Sequence, residues 1–408
     1  MINLLNSESK LKGYFDNFLI SDEVEDQLKI DWKDFHDKSF NTSRNQKTLE
    51  MLKHYSALLS AEQEYISDNV LIVNSLFNIV KDLSENSFIV ADRTAYGFIK
   101  KHYNLSIDIK HICFIDEITS GKCLSDIIQN IKKSSYFQIV AFGGGKTIDF
   151  AKFISLKSNL KLLSIPSSLS THVYASPKIH ALPPIKELGF KGTIDGESSH
   201  LSLIDITLID KLFQTNRRLV LSGFGGIMAF INSRHDWKES SENGNERYSI
   251  FVDKSIDFVV SKLETIDISQ PLKEWIGDYI FIQCLLCNIT DWVGSAPASG
   301  AEHLFAKCIE DDVDISPLHG EIVALGVLIF CYLRNRDLKL VLMLLSKFSI
   351  STKLSDLGIS SEEVINSLSN SRDEGDIKRR YTILNHIDVS RDFFRKVISE
   401  MTIKKIIN

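Results

Sequence analysis

The sequence predicts an N-terminal α/β domain with a parallel sheet, followed by an all-helical C-terminal domain. Strand and helix patterns alternate between residues 87 and 205, which is typical of βαβ units. The strand patterns are continuously apolar rather than alternating, as expected for strands that are buried on both faces. Beyond about residue 207 strand patterns disappear and only helical periodicities remain.

The predicted α/β elements follow one another closely along the chain. The predicted strands are Ser87 to Asp92, His111 to Ile115, Tyr136 to Phe142, Leu160 to Ile165 and His200 to Asp205. The predicted helices between them are Thr94 to His102, with Thr94 as its cap, Leu124 to Ile131 and Thr147 to Leu156.

Residues 1–85 form the third predicted region, a helical N-terminal extension without a chemical motif. Helical spacing of apolar residues is visible from Leu49 to Leu59 and from Val70 to Leu83. The predicted domains are therefore the extension at 1–85, the α/β domain at 86–206 and the helical domain at 207–408.

Composition and charge narrow the class of function. The 408 residues are 44% hydrophobic and 25% charged, as in ordinary globular proteins, and the net charge is −6. Without a basic surplus we expect no nucleic acid partner. The polar N-terminus does not resemble a signal peptide, and the longest apolar run, Ile322 to Leu333, is too short to span a membrane. We therefore expect a cytoplasmic protein.

A glycine-rich loop lies between the third predicted strand and the next helix. It reads Gly143-Gly144-Gly145-Lys146, and its spacing matches neither the Walker A loop nor the Gly-x-Gly-x-x-Gly pattern. Glycines at such a turn let the backbone approach a phosphate, and the following helix N-terminus offers free N–H groups. The loop alone predicts phosphate or nucleotide binding, with a plain tight turn as the alternative. Asp92, at the end of the first strand, could contact a cofactor hydroxyl or remain a solvated loop carboxylate.

Several further segments, in a fixed order over roughly residues 86 to 400, resemble one family. They are Gly143 to Lys152, Ser164 to Thr171, Ala175 to Pro177, Asp236-Trp237, Pro297 to Phe305, Leu318 to Glu321 and Arg380 to Leu384. Together they resemble sn-glycerol-1-phosphate dehydrogenases, which share a superfamily with glycerol dehydrogenase, iron-dependent alcohol dehydrogenases and 3-dehydroquinate synthase.

This resemblance implies an active site in the cleft between the two domains, NAD or NADP as cofactor, and dihydroxyacetone phosphate as substrate. In the family the glycine loop binds the pyrophosphate, and the Ser/Thr-rich segment lines the nicotinamide side. The expected cofactor-binding residues are Asp92, Gly143, Gly144, Gly145, Lys146, Asp149, Ser167, Ser168, Ser170 and Thr171.

The resemblance also implies a divalent metal, usually Zn²⁺, that is held by one Asp and two His residues and polarises the substrate carbonyl. His303 and His319 fall on the two family histidines, but Gly226 stands where the family has its Asp ligand. His172 replaces another family Asp and is expected as a third metal ligand, as a general acid, or as a changed residue in a site whose activity is altered or lost. Lys307, one turn after His303, could stabilise a substrate oxyanion.

Three functions remain open at this point. The leading one is a nicotinamide-dependent oxidoreductase that reduces a small phosphorylated ketone. The second is a lyase or cyclase resembling 3-dehydroquinate synthase, which acts on a sugar phosphate while keeping NAD bound. The third is a cofactor-binding protein with altered catalysis, favoured by Gly226 and His172. The expected partner is a small phosphorylated substrate, and a homo-oligomer is one option for the assembly.

Overall fold

The computed structural model describes residues 31, 33–35, 42–55, 58, 63–67, 69–83, 86–104, 111–312 and 317–407. The chain divides into two compact units. The first consists of Met1–Arg217 and Leu272–Asn288, and the second of Arg218–Pro271 and Ile289–Asn408. Most of the predicted N-terminal extension before residue 42 lies outside the described residues.

The first unit is built on a seven-stranded sheet with the strand order β1-β2-β9-β6-β5-β3-β4. Among the described strands of this sheet, β1 and β2 pair antiparallel and the other neighbours pair in parallel. A separate two-stranded ribbon consists of β7 and β8. The strands are β1 Gln63–Ser67, β2 Val70–Val73, β3 Ser87–Ala91, β4 Ile112–Phe114, β5 Gln138–Gly143, β6 Lys161–Pro166, β7 Lys178–His180, β8 Thr193–Asp195 and β9 Leu201–Asp205.

The helices of the first unit connect these strands. They are α1 Thr42–Tyr55, α2 Phe77–Asp82, α3 Arg93–Tyr103, α4 Gly121–Lys132, α5 Gly145–Ser158, α6 Pro183–Glu187 and α7 Ile206–Thr215, with short 3-10 turns at Ile115–Glu117 and Leu272–Glu274. All six residues of β5 and all five of β9 are buried. Burial on both faces explains the continuous apolar patterns, and the five predicted strands are found at β3, β4, β5, β6 and β9.

The segment from Val70 to Leu83 differs from the prediction of a helix. Its first residues form β2, which pairs in parallel with β9, and a helix begins only at Phe77. All four residues of β2 are buried. A short run such as Val-Leu-Ile-Val has the same apolar pattern in a buried strand and in a buried helix, so periodicity alone could not separate them.

Every element of the second unit within the described residues is helical, as predicted. Its α-helices are α8 Arg218–Glu242, α9 Ile250–Thr265, α11 Ala301–Asp312, α12 His319–Arg334, α13 Leu338–Lys347, α14 Leu354–Leu357, α15 Ser361–Lys378 and α16 Arg391–Ile403. Helix α10, Ile276–Val293, begins in the first unit, and its residues from Ile289 onward belong to the second. In the described part of the chain no helix is both long and apolar enough to cross a membrane. The predicted fold class, an α/β part followed by a helical part, is confirmed at this level.

Helices α8 and α12 pack unusually closely at two glycines. A Cβ atom on Gly225 would lie 2.0 Å from the carbonyl oxygen of Gly320, and one on Gly320 would lie 1.9 Å from that of Ser222. A Cβ atom on the next residue, Gly226, would meet nothing within 4 Å. Gly225 and Gly320 are therefore required for the backbones to touch, whereas Gly226 is open to a side chain.

The Asp-Trp motif has a structural role inside the second unit. Asp236 is buried and accepts hydrogen bonds from the backbone N–H groups of Ala301 (2.9 Å) and Ile383 (2.7 Å). It also forms a buried ion pair with Arg334. Burial raises the pKa of Asp236 to about 7 even though Arg334 opposes that shift. One carboxylate thus ties together α8, α11, α12 and the 3-10 turn Ile383–Asn385.

Candidate cofactor site

A cavity of about 410 Å³ lies at the carboxyl edge of the sheet, where β4, β3 and β5 are neighbours. Its charged lining residues are Asp92, Arg93, Asp116 and Lys146. Its apolar lining residues are Ile115, Ile118, Phe150, Leu182, Pro183 and Pro184. The carboxyl edge of an open α/β sheet is where such folds bind ligands, and the volume is in the range of small-molecule sites. Two predicted cofactor residues, Asp92 and Lys146, therefore border one cavity.

The glycine loop turns directly from β5 into α5. Gly144 is the N-cap of α5, and no side chain caps the helix there. Because the first N–H groups of a helix have no partner inside the helix, this end can bind an anion. A Cβ atom on Gly143 would lie 2.3 Å from the hydroxyl of Thr147, so that glycine is required by the turn itself.

The Ser/Thr-rich segment lies against the glycine loop, as the prediction of a common cofactor site requires. The backbone N–H of Ser167 donates to the carbonyl of Gly143 at 3.0 Å. A Cβ atom on Gly144 would lie 3.4 Å from the hydroxyl of Ser168, and one on Gly145 would lie 3.0 Å from that of Thr171. The hydroxyls of Ser168 and Thr171 thus lie beside the start of α5. Ser170 is next to them, with its Oγ 3.3 Å from Ser168 Oγ.

Residues of the segment Leu272–Asn288 hold the Ser/Thr-rich loop in place. Tyr279 and Gln283 both donate to the carbonyl of Leu169, at 2.6 Å and 3.1 Å. Gln283 also accepts from the hydroxyl of Tyr174, and Cys287 Sγ lies 3.5 Å from the carbonyl of His172. Nothing in the sequence singles out these residues, because their stretch has only the pattern of a buried apolar helix.

The side chain of Asp92 also has a local structural task. Its Oδ1 accepts from the backbone N–H of Ala95 at 2.9 Å, so Asp92 rather than Thr94 is the N-cap of α3. This corrects the predicted cap. Asp92 borders the cavity at the same time, and the prediction that it contacts a cofactor hydroxyl stays open.

Asp149 lies on the buried face of α5 and points to β7. It accepts from the backbone N–H of His180 at 3.2 Å, and Lys152 donates to the carbonyl of Lys178 at 3.0 Å. Burial raises the pKa of Asp149 to about 6, with Lys152 opposing the shift. Burial likewise lowers the pKa of Lys152 to about 8, with Asp149 opposing it. The pair anchors β7 on α5. The Asp149 side chain is only 5% exposed, so it stabilises the packing of α5 from its buried face.

His172 lies at the end of the Ser/Thr-rich segment and is partly buried. Its carbonyl accepts from the backbone N–H groups of Ala175 and Ser176, at 3.0 Å and 3.2 Å. The backbone at His172 is therefore fixed next to Thr171, which borders the glycine loop.

In the second unit, the two predicted metal histidines are close to each other. The ring centroids of His303 and His319 are 5.5 Å apart. Glu302 Oε1 lies 3.0 Å from Nδ1 of His303, and Glu310 Oε1 lies 2.7 Å from Nδ1 of His319. A carboxylate on Nδ1 is the usual support of a histidine that binds a metal through Nε2.

The third ligand of a metal site is not supplied within the described residues. There, no group of three or more His, Cys, Asp or Glu side chains is arranged to hold a metal ion. Position 226, where the resemblance expects Asp, is a glycine that faces open space. The residues therefore do not make up a complete three-ligand site.

Two neighbouring charged residues are engaged in ion pairs. Lys307 forms ion pairs with Asp311 and, at 3.9 Å, with Glu374. Glu321 accepts from Arg218 Nη2 at 2.6 Å and from the backbone N–H of Leu318 at 2.8 Å. Glu321 thus caps the start of α12, and the charge of Lys307 is neutralised locally.

Comparison with known proteins agrees with this geometry. Residues 70–187 match the model of the iron-containing alcohol dehydrogenase family. A glycerol-1-phosphate dehydrogenase [NAD(P)+] of Saccharolobus solfataricus is 31% identical over 275 residues, which cover 65% of this chain and 74% of the relative. The Archaeoglobus fulgidus enzyme of the same name is 26% identical over 350 residues, covering 82% of this chain and 95% of that enzyme.

Solved structures share the fold at low sequence identity. A probable glycerol dehydrogenase from Sinorhizobium meliloti has a TM-score of 0.56 at 15% identity, covering 84% of this chain and 98% of its own. Sulfoacetaldehyde reductase from Bifidobacterium kashiwanohense, solved with NAD+, has a TM-score of 0.53 at 13% identity, covering 82% and 96%. The motifs, the fold and the relatives agree, and the chain belongs to the glycerol-1-phosphate dehydrogenase family.

Proposed function

We propose that the protein is an NAD(P)-dependent dehydrogenase that interconverts a small phosphorylated ketone, such as dihydroxyacetone phosphate, and its alcohol. Its relatives are named glycerol-1-phosphate dehydrogenase [NAD(P)+]. The observation that carries the proposal is the cavity at the carboxyl edge of the sheet, which Asp92 and Lys146 line together.

The cofactor would bind across this edge of the first unit. The free N–H groups at the start of α5 and the exposed Lys146 supply positive potential for the pyrophosphate. The apolar wall of the cavity, which includes Ile118, Phe150 and Pro184, suits a planar base. The hydroxyls of Ser168, Ser170 and Thr171 then lie on the side where the nicotinamide is expected.

The bound nicotinamide supplies or accepts the hydride of this reaction. In the direction of reduction the substrate carbonyl also needs one proton on its oxygen. We assign its donation to His172, because the backbone there is fixed beside Thr171 and an imidazole can transfer protons near neutral pH. Lys307 is a poorer candidate, since Asp311 and Glu374 already bind its ammonium group.

No step of this proposal goes through a metal, because Gly226 has no donor group. The set His172, His303 and His319 remains a prediction that metal content can test. Stoichiometric Zn²⁺ that is lost in both His172→Ala and His303→Ala would support this set, and retention in His172→Ala would contradict it. The variant Gly226→Asp tests the missing ligand directly. A side chain fits at this position, so we expect the amount of Zn²⁺ bound per chain to rise.

Turnover is tested by mixing the purified protein with NADH or NADPH and dihydroxyacetone phosphate and following loss of the reduced cofactor. We expect Lys146→Ala to weaken cofactor binding, whereas substitution of Lys132, which is also exposed and lies on α4, by Ala should not. His172→Ala should lower kcat by roughly 100-fold or more with cofactor affinity retained. No oxidation of either cofactor, with and without added Zn²⁺, would refute the dehydrogenase assignment.

The second candidate function is a cofactor-binding protein that no longer catalyses the reaction, which the loss of the Asp ligand at Gly226 favours. Such a protein would bind NADH in a calorimetric titration but would turn over none of the phosphorylated ketones offered. Restored turnover in Gly226→Asp would then identify the missing ligand as the cause.

A further inference from the structure

The cavity contains one arginine, and its guanidinium group is already engaged. Arg93 Nε donates to Asp116 Oδ2 at 2.7 Å, and Arg93 Nη2 donates to Glu117 Oε1 at 2.5 Å. The guanidinium also lies over the ring of Phe114, 4.1 Å from the ring centroid. Two carboxylates and an aromatic face therefore hold this cation.

The two acidic partners are themselves held in position. Asp116 and Glu117 belong to the 3-10 turn Ile115–Glu117 directly after β4. Glu117 Oε2 accepts from the backbone N–H of Phe114 at 3.2 Å, so its carboxylate bridges the strand end and Arg93. All three side chains are about half exposed, and moving Arg93 away would leave both carboxylates without their cation.

The local charge balance disfavours an additional anion. Asp92, Asp116 and Glu117 contribute three negative charges beside the cavity, against the positive charges of Arg93 and Lys146. A ribose 2′-phosphate carries close to two negative charges, and the arginine that could receive it in a nucleotide site is already paired with two carboxylates here. A free ribose hydroxyl, by contrast, is a donor that a carboxylate such as Asp92 can accept from.

We propose that this cavity selects NAD(H) over NADP(H), and that Asp116 and Glu117 enforce the selection by keeping Arg93 away from a 2′-phosphate. This inference rests on the proposed function, because it concerns the cofactor of the same site. It names Asp116 and Glu117 as specificity-determining residues that need not touch the cofactor themselves.

The test measures the dissociation constants of NADH and NADPH for the full chain by calorimetry. We expect the native protein to bind NADH roughly tenfold or more tightly than NADPH. The double variant Asp116→Asn/Glu117→Gln should tighten NADPH roughly tenfold while NADH changes little, since Arg93 becomes available to the phosphate. Adding Arg93→Ala to that variant should abolish the gain.

A charge-matched control is Asp126→Asn/Glu242→Gln, which also removes two exposed carboxylates, from α4 and α8, neither of which lines the cavity. It should leave the preference for NADH unchanged. NADPH binding as tightly as NADH in the native protein would overturn the selectivity while leaving the dehydrogenase assignment intact. An unchanged NADPH affinity in the double variant would overturn the role of Arg93. Failure of both cofactors to bind would refute the proposed function and the selectivity with it.

Discussion

The contact between α8 and α12 gives a sharp prediction, because two adjacent glycines on one helix have opposite surroundings. A Cβ atom on Gly225 would lie 2.0 Å from the carbonyl oxygen of Gly320 and 2.8 Å from its carbonyl carbon. These are backbone atoms, so no side-chain rotation can relieve the overlap. A Cβ atom on Gly226 would meet nothing within 4 Å.

We therefore expect Gly225→Ala and Gly226→Ala to change stability in opposite directions. Both substitutions gain about 1 kcal/mol of helix propensity, because alanine loses less backbone freedom than glycine. At Gly225 the helices must also move apart by about 1 Å, and overpacking of this kind costs about 3 kcal/mol. The expected net effects are a loss of about 2 kcal/mol for Gly225→Ala and a gain of about 1 kcal/mol for Gly226→Ala.

Thermal unfolding followed by circular dichroism measures the difference between the two variants. A gap of about 3 kcal/mol corresponds to roughly 6 to 12 °C in Tm for a unit of this size. Each variant serves as the control of the other, because the chemical change and the helix are the same. If Gly225→Ala melts at or above the temperature of Gly226→Ala, the close backbone contact is wrong.

Two further predictions concern buried titratable groups. Asp236→Asn should cost about 3 to 5 kcal/mol in urea unfolding, because it breaks a buried ion pair with Arg334. The control Asp210→Asn removes a surface carboxylate that accepts a hydrogen bond from Gln214, and it should cost less than about 0.5 kcal/mol. Equal losses in the two variants would refute the role assigned to Asp236. His200→Ala should cost about 1 to 3 kcal/mol at pH 7.5, because Nδ1 of His200 accepts the backbone N–H of Leu162 at 3.0 Å in the middle of the sheet. Burial lowers the pKa of His200 to about 4. The unfolded chain protonates this imidazole at a pKa near 6.5, above the pKa of the folded protein. The neutral imidazole therefore contributes fully to the free energy of unfolding above pH 6.5, and this contribution is lost as the pH falls to about 4. The difference between native protein and His200→Ala should therefore shrink in acid, and a difference that grows there would contradict the neutral imidazole.

The strands and the glycine loop could be predicted because their signals are local. A run such as Gln-Ile-Val-Ala-Phe before three glycines specifies a buried strand and a turn within ten residues of chain. The strand Val70–Val73 could not be separated from a helix, because its partner β9 lies more than a hundred residues further on. The motif located Gly226 in the chain, but the packing of α8 against α12 decides that this glycine faces open space while Gly225 does not.

By itself, the sequence determined the fold class, the family and the residues of the glycine loop, since these depend on short patterns and on their order. Only the tertiary structure decided which of those residues act together. It brought Asp92, Lys146, Arg93 and Asp116 to one cavity, assigned Asp236 to holding helices, and attached the Ser/Thr-rich loop to Tyr279 and Gln283. Such contacts join residues that are far apart in the chain, and an individual polar side chain leaves no periodic signal that would reveal its partner.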